Sequence, residues 1–268
     1  MADATGDTKA QTAEQLWRHY GRQLALPEWG EPAQLRLQHA KVLLIGAGGL
    51  GSAVATYLVA AGIGQLDISD GDQVSLSNLQ RQFLYGVADL GLAKNRRAQQ
   101  RLQQLNPQVQ IRALPAVDPQ QLPAWLAAGD YQLVADCCDN QATRLVVNQA
   151  CLEAQIPLLS AAVSGWQGSV ALFDFSCPSS VAERGCYACL YPYATAEDCR
   201  QLGILGATAG VVATTQALEA LKFLAGLPTP SDSRVLRFDA LEQRWRQLAR
   251  QRDCDCACCG AYLCMENH

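Results

Sequence analysis

The feature that most restricts how this chain can fold is a glycine turn set between a short apolar run and a stretch of small residues. Residues 41–45, KVLLI, lack polar alternation and are too short for a helix, so they read as a strand buried on both faces. Gly46, Gly48, Gly49 and Gly51 follow directly, and then SAVATYLVAAG, whose small residues suit a helix lying close to a sheet. Asp70 ends the next predicted strand, 65–69, about 20 residues further on. Together these make a G-x-G-x-x-G nucleotide turn with its acidic residue. Gly46 makes the tight turn, Gly48 and Gly49 let phosphate approach the backbone, and Asp70 can accept from ribose hydroxyls. Glycines that only reverse the chain are the other reading of the turn, and which nucleotide it would bind is open, a pyridine nucleotide included.

The alternation continues downstream. A helix is expected over 90–105, a strand over 111–117, a short helix over 121–128, a strand over 131–138, a helix over 141–154, and strands over 157–162 and 168–175. Regular strand–helix alternation implies a Rossmann-like α/β fold, a mostly parallel sheet flanked by helices. Later strands at 234–238 and 244–248 add a C-terminal antiparallel extension. Residues 1–13 read as disordered, and 14–37 as an arm of two short helices broken around the prolines at 27–32. Residues 176–205 are too rich in Cys, Gly, Pro and Tyr for the core and read as a functional loop or lid. Residues 14–268 are therefore taken as one domain. In the uncharged stretch 201–218, Gly206 and Gly210 are expected to allow close helix packing rather than a membrane span. Arg96, Arg97 and Arg101 share a helix and read as a solvated face.

Bulk properties narrow the function. A net charge of −4 argues against nucleic acid as the partner. The polar first ten residues carry no leader signal, and a cytoplasmic, membrane-free protein is expected. All 12 cysteines lie from Cys137 onward, a skew that favours metal binding or catalysis over a disulfide scaffold. Cys186 and Cys189 form one C-x-x-C; in the tail only Cys256 and Cys259 repeat that spacing. Two such knuckles can hold Zn²⁺ tetrahedrally with no open position, so the zinc would be structural and would tie the tail, 252–268, to the loop. A redox pair at Cys186 and Cys189 is the alternative, and it leaves the tail unexplained. Cys254, Cys258 and Cys264 have no assigned role, and Cys137, Cys151 and Cys177 read as buried or incidental.

Several motifs occur in order: Tyr20-Gly21-Arg22-Gln23, the glycine turn, Asp70 with Asp72, SLSNLQRQ over 75–82, GLAK ending at Lys94, and DCCDN over 136–140. In this the chain resembles the MoeB/ThiF family of ubiquitin-activating-type adenylyltransferases, from about residue 18 to residue 260. The resemblance implies ATP with Mg²⁺, and a ubiquitin-like sulfur-carrier protein, ThiS- or MoaD-like, whose C-terminal glycine is adenylated for thiamine-thiazole or molybdopterin synthesis. It places Asp70 on the ribose, and Ser77, Asn78, Leu79, Gln80, Arg81 and Asn140 around the nucleotide. Lys94 falls on the phosphates, Asp139 at Mg²⁺, and Arg22 in the ATP site of the other subunit of a homodimer. Residues 176–205 correspond to the crossover loop, where Cys199 resembles a cysteine used for a covalent intermediate. A cysteine desulfurase or sulfurtransferase is the expected sulfur source, and no appended sulfurtransferase domain is expected. His19, Gly21 and Cys138 depart from the family pattern.

The chemistry agrees with those residue types. Carboxylate attack on a phosphate brings two anions together, which requires fixed positive charge in a site screened from water. Arg81 and Lys94 can supply charge, and one carboxylate such as Asp139 suits Mg²⁺. Asp139 could instead cap the helix after it, and Arg81 and Lys94 could be surface charges. An NAD-dependent oxidoreductase and a non-catalytic nucleotide-binding scaffold remain the competing functions.

Overall fold

The computed structural model describes residues 14, 16–192 and 203–260. The apolar run at Lys41–Ile45 forms β1, the central strand. Its side chains alternate. Val42 and Leu44 enter the core on one side of the sheet, and Leu43 and Ile45 the core on the other. A strand with both faces covered needs the unbroken apolar run that the sequence shows.

Around β1 lie β2 (Gln65–Ser69), β3 (Gln110–Leu114), β4 (Leu133–Asp136), β5 (Leu158–Ser164), β6 (Gln167–Phe173), β7 (Arg234–Asp239) and β8 (Arg244–Ala249). They form one sheet in the order β3-β2-β1-β4-β5-β6-β7-β8. Pairing is parallel from β3 through β5 and antiparallel from β5 to β8. The chain leaves β1 toward β2 and β3, then returns to build β4 on the other side. That reversal opens a crevice beyond the carboxyl ends of β1 and β4, where open α/β sheets bind ligands. The edge strand β8 is exposed along its whole length.

Residues 16–24 form helix α1, and α2 is Gly30–His39. Tyr20, Leu24 and Leu37 are buried, so this arm packs onto the sheet layer. Helix α3 (Gly51–Ala61) starts at the glycine turn and ends on Gly62. Next come α4 (Lys94–Leu105), α5 (Leu122–Gly129), α6 (Gln141–Glu153), α7 (Pro178–Arg184), α8 (Tyr187–Leu190) and α9 (Gly206–Leu224). Helices α3 and α9 cover one face of the sheet with α4, and α5 and α6 cover the other.

Four expectations change. Residues 176–192 are not an irregular loop: α7 and α8 lie here, and Val181, Cys186, Tyr187 and Ala188 are buried in the core beside α6. Gly206 packs against the Gln80 carbonyl as expected, but Gly210 has open space around it. Arg97 and Arg101 are not a free solvated face, because both pair with the buried Asp89 carboxylate. The strand expected over 131–138 is shorter, Leu133–Asp136, and the chain bends at Asp139 and Asn140 beside the crevice.

Candidate active site

The carboxyl ends of β1, β2 and β4 bring the sequence's nucleotide residues to one crevice. Gly46 has φ 90°, and a Cβ at Gly51 would collide with the Gly46 carbonyl, so the turn admits no side chain at these points. Asp70 closes over it: Oδ2 accepts from the Ala47 amide at 2.7 Å and Oδ1 from the Asp72 amide at 2.8 Å. Burial pushes the Asp70 carboxyl above its usual range, against these amides and Lys94. The Tyr85 hydroxyl donates to the Ala47 carbonyl at 2.9 Å and braces the turn from below.

Lys94 begins α4, and its ammonium lies 2.9 Å from Asp72 Oδ2. The lysine is only 4 % exposed, so it is no ordinary surface charge. Its partner's side chain is 73 % exposed. The sequence reading gave Asp72 no role; the structure makes it the counter-ion that holds Lys94 in place.

The segment after β2 lies across the turn. Arg81 runs over Gly49, its Cδ 3.4 Å from where a Cβ would sit, and donates to the Ser77 carbonyl at 3.0 Å. Ser77 and Asn78 lie in a single 3₁₀ turn, where the Asn78 side chain accepts from the Ser75 amide at 3.4 Å. Leu79 follows, and the Gln80 carbonyl meets Gly206 at the start of α9. Gln82 also approaches Gly48, and its buried Oε1 has no partner among the described residues. An orphan acceptor beside the turn is a polar group placed for a ligand. Only its place next to Arg81 hinted at it in sequence.

Asp139 and Asn140 stand on the other side of the crevice, just beyond β4, whose Asp136 pairs with Ile45 of β1. Asn140 caps α6 by accepting from the Thr143 amide at 2.8 Å, so the capping role considered for Asp139 belongs to its neighbour. Asp139 is exposed and takes one hydrogen bond, from Asn140 Nδ2 at 3.4 Å. An exposed, lightly bonded carboxylate at the edge of the crevice fits a hydrated Mg²⁺, which uses few protein ligands.

Arg22 is not part of this chain's own crevice. It is exposed on α1, and Tyr20 beside it packs over Gly62 at the far end of α3, about 16 Å of helix from the glycine turn. Cys199 and Cys264 lie outside the described residues.

The four cysteines chosen by spacing meet. The sulfurs of Cys186, Cys189, Cys256 and Cys259 all lie within 4.8 Å of one another. The Cys186–Cys256 separation is 3.8 Å and the Cys189–Cys259 separation 3.4 Å. A tetrahedral Zn–S₄ centre has sulfur edges of about 3.8 Å, so the donor set fits Zn²⁺. Donors already point at the sulfurs: the Cys186 amide to Cys189 at 3.4 Å and Asn148 Nδ2 to Cys186 at 3.5 Å. Hydrogen bonds from Cys189 and then Cys258 and Cys259 hold the Cys186 thiol well below the usual range, and the same contact with Cys186 pushes Cys189 up to about 11. Gly185, at φ 68°, is required here because a Cβ would lie 2.5 Å from the Cys189 sulfur. Cys258 accepts from Asn148 at 3.0 Å, donates to Gln149 at 2.8 Å and also touches Cys186, but it is not one of the four gathered sulfurs, and Cys254 is exposed.

The ThiF family profile matches residues 20–258, nearly the whole described chain. The chain belongs to the ThiF family. It is 41% identical to the sulfur carrier protein ThiS adenylyltransferase of Escherichia coli K12, over 90% of this chain and 94% of that one. It is 35% identical to the molybdopterin-synthase adenylyltransferase of the same organism, over 94% and 99%. It is 42% identical to the mouse adenylyltransferase and sulfurtransferase MOCS3, over 90% of this chain but 52% of that longer protein. Among solved structures, E. coli MccB with MccA-N7isoASN superposes with a TM-score of 0.72 at 22% identity, over 85% and 69% of the two chains, a likeness of fold. Among the described residues of this ThiF-family chain, no helix is long and apolar enough to cross a membrane.

Proposed function

We propose that this chain adenylates the C-terminal glycine of a ubiquitin-like sulfur-carrier protein, consuming ATP and releasing pyrophosphate. The observation that carries the reading is the crevice itself: Asp70, the open glycine turn, Arg81 and buried Lys94 on one side, and the uncommitted Asp139 carboxylate on the other. Two relatives named as adenylyltransferases are matched over nearly their full length, which supports it.

In this reading the ribose hydroxyls donate to Asp70, and the triphosphate lies over Gly48 and Gly49 against the amino end of α3. Arg81 and Lys94 offset the phosphate charge. Asp139 would hold Mg²⁺, which supplies further charge neutralisation at the phosphate oxygens. The carrier's terminal carboxylate oxygen then bonds to the α-phosphorus, and the bond from that phosphorus to the bridging oxygen breaks. Pyrophosphate carries away the electron pair. The acyl-adenylate is primed for sulfur brought by a cysteine desulfurase or sulfurtransferase. Arg22 serves the neighbouring site of a homodimer, which agrees with its distance from its own crevice. Cys199 is a candidate for a covalent step after adenylation. Zn²⁺ on Cys186, Cys189, Cys256 and Cys259 is structural, and the protein works in the cytoplasm.

Incubation with ATP, Mg²⁺ and candidate carriers, followed by intact mass, should show one AMP added to a carrier. A protein that binds NAD and supports no ATP–pyrophosphate exchange with any carrier would refute the reading.

A further inference from the structure

Behind Asp139 lies a buried polar cluster with no assigned part in the reaction. Arg144, in the first turns of α6, is 6 % exposed. Its Nη1 donates to Asp136 Oδ2 and to Ser160 Oγ, each at 2.9 Å, and its Nη2 donates to the Ala161 carbonyl at 2.8 Å and to the Cys138 carbonyl. Ser160 Oγ donates in turn to Asp136 Oδ2 at 2.7 Å. The other oxygen, Asp136 Oδ1, accepts from the Cys138 amide at 2.9 Å. Cys138 is thus held at both its amide and its carbonyl, and that carbonyl belongs to the peptide bond leading into Asp139.

Among the described residues, the Asp139 side chain has only the 3.4 Å contact from Asn140 to orient it. Its placement therefore comes from its backbone, and the backbone is fixed by Arg144. A buried ion pair of this kind is poor value for stability, because desolvation offsets most of its attraction. It does supply rigidity, and Mg²⁺ demands rigidity: near-octahedral geometry tolerates little error in ligand position.

We propose that Arg144 is a positioning residue for the divalent cation, setting the Asp139 carboxylate by clamping the Cys138 carbonyl. This rests on the reading of Asp139 as a cation ligand. The planar fork reaches carbonyls of β5 and of the β4 turn together with the Asp136 carboxylate, which a lysine ammonium cannot do.

The test uses the full-length protein with ATP and Mn²⁺ as the probe, bound Mn²⁺ being counted by electron paramagnetic resonance. Arg144→Lys should weaken Mn²⁺ binding to the ATP complex about tenfold, as loss of a group behind a metal ligand does. ATP affinity without metal should change less than about twofold. Ser160→Ala removes contacts to Asp136 and Arg144 but leaves both carbonyl contacts, so it should lower the thermal midpoint with Mn²⁺ affinity unchanged. Wild-type Mn²⁺ affinity in Arg144→Lys, or equal weakening in Ser160→Ala, overturns the proposal. Should Arg144→Lys not fold, Asp136→Asn takes its place, with a several-fold loss expected and unchanged affinity overturning the idea. Asp139→Asn separates the two readings: if it leaves Mn²⁺ binding intact, the cation assignment itself has failed, and the positioning role falls with it.

Discussion

Replacing Lys94 by Met separates two roles that a buried lysine can have. The stem is enclosed, and Met fills nearly the same space, so packing changes little. The lost ion pair has a largely exposed partner, Asp72, which water can solvate once the ammonium is gone. Pairs of that kind contribute about 0–1 kcal/mol, and removing a buried ammonium also relieves its desolvation. Stability should therefore change by less than about 1 kcal/mol, a shift of about 4 °C or less in thermal midpoint for a chain of this size. The effect on the reaction is larger. A fixed donor facing charge that builds up in the transition state is worth about 3–4 kcal/mol, a loss of about 10²–10³ in rate. ATP–pyrophosphate exchange with a saturating carrier reads the rate, and a melting curve on the same sample reads the stability. Exchange within about threefold of wild type would remove Lys94 from the phosphates; a collapse in midpoint with exchange rate restored at low temperature would make the pair structural.

Other outcomes follow from the same geometry. Cys256→Ser should lose zinc and melt well below wild type, whereas Cys258→Ser should keep its metal; zinc content by mass spectrometry decides, and the reverse result would mean that the tail ligands are misassigned. In the proposed reading Asp70 binds ribose as a carboxylate, and its pKa is raised, so ATP affinity should hold at neutral pH and fall, as the pH is lowered, before an ordinary carboxyl would protonate. The sign for folding is opposite. A carboxyl whose pKa is raised in the folded state costs stability as the pH rises past its unfolded value, whereas Asp70→Asn, which turns its Nδ2 on one of the two backbone amides, should bind ATP about tenfold to a hundredfold more weakly. Arg22→Ala and Asp139→Asn, each inactive alone, should regain roughly a quarter of wild-type activity when mixed as exchanging dimers, because half of the dimers then hold one intact site. No recovery would place Arg22 in its own subunit's chemistry or outside it altogether.

The parts of this molecule that sequence revealed are those governed by short-range rules. β1 and the paired glycines are legible because a strand buried on both faces and a turn without room for Cβ leave few residue choices. The four gathered thiols are legible because C-x-x-C spacing suits a tetrahedral metal. What escaped are contacts between distant segments. Asp72 with Lys94, Asp89 with Arg97 and Arg101, and Arg144 with β5 carry no local periodicity, and each requires knowledge of which strands are neighbours. The helical pieces at α7 and α8 were hidden because Cys, Gly and Pro usually signal loops. Here they lead into a cysteine knuckle buried against α6.

The two knuckles stand 70 residues apart, and everything from α9 to β8 is strung between them. If the metal constrains the unfolded chain as a covalent cross-link would, closing such a loop is worth about 4 kcal/mol. A pull on the C-terminus would therefore meet thiolate bonds before it reached β8, an edge strand with little packing to resist being peeled away. Chelation would turn that order round, so that the sheet frays from its last strand inward while the crevice at the opposite half keeps its shape.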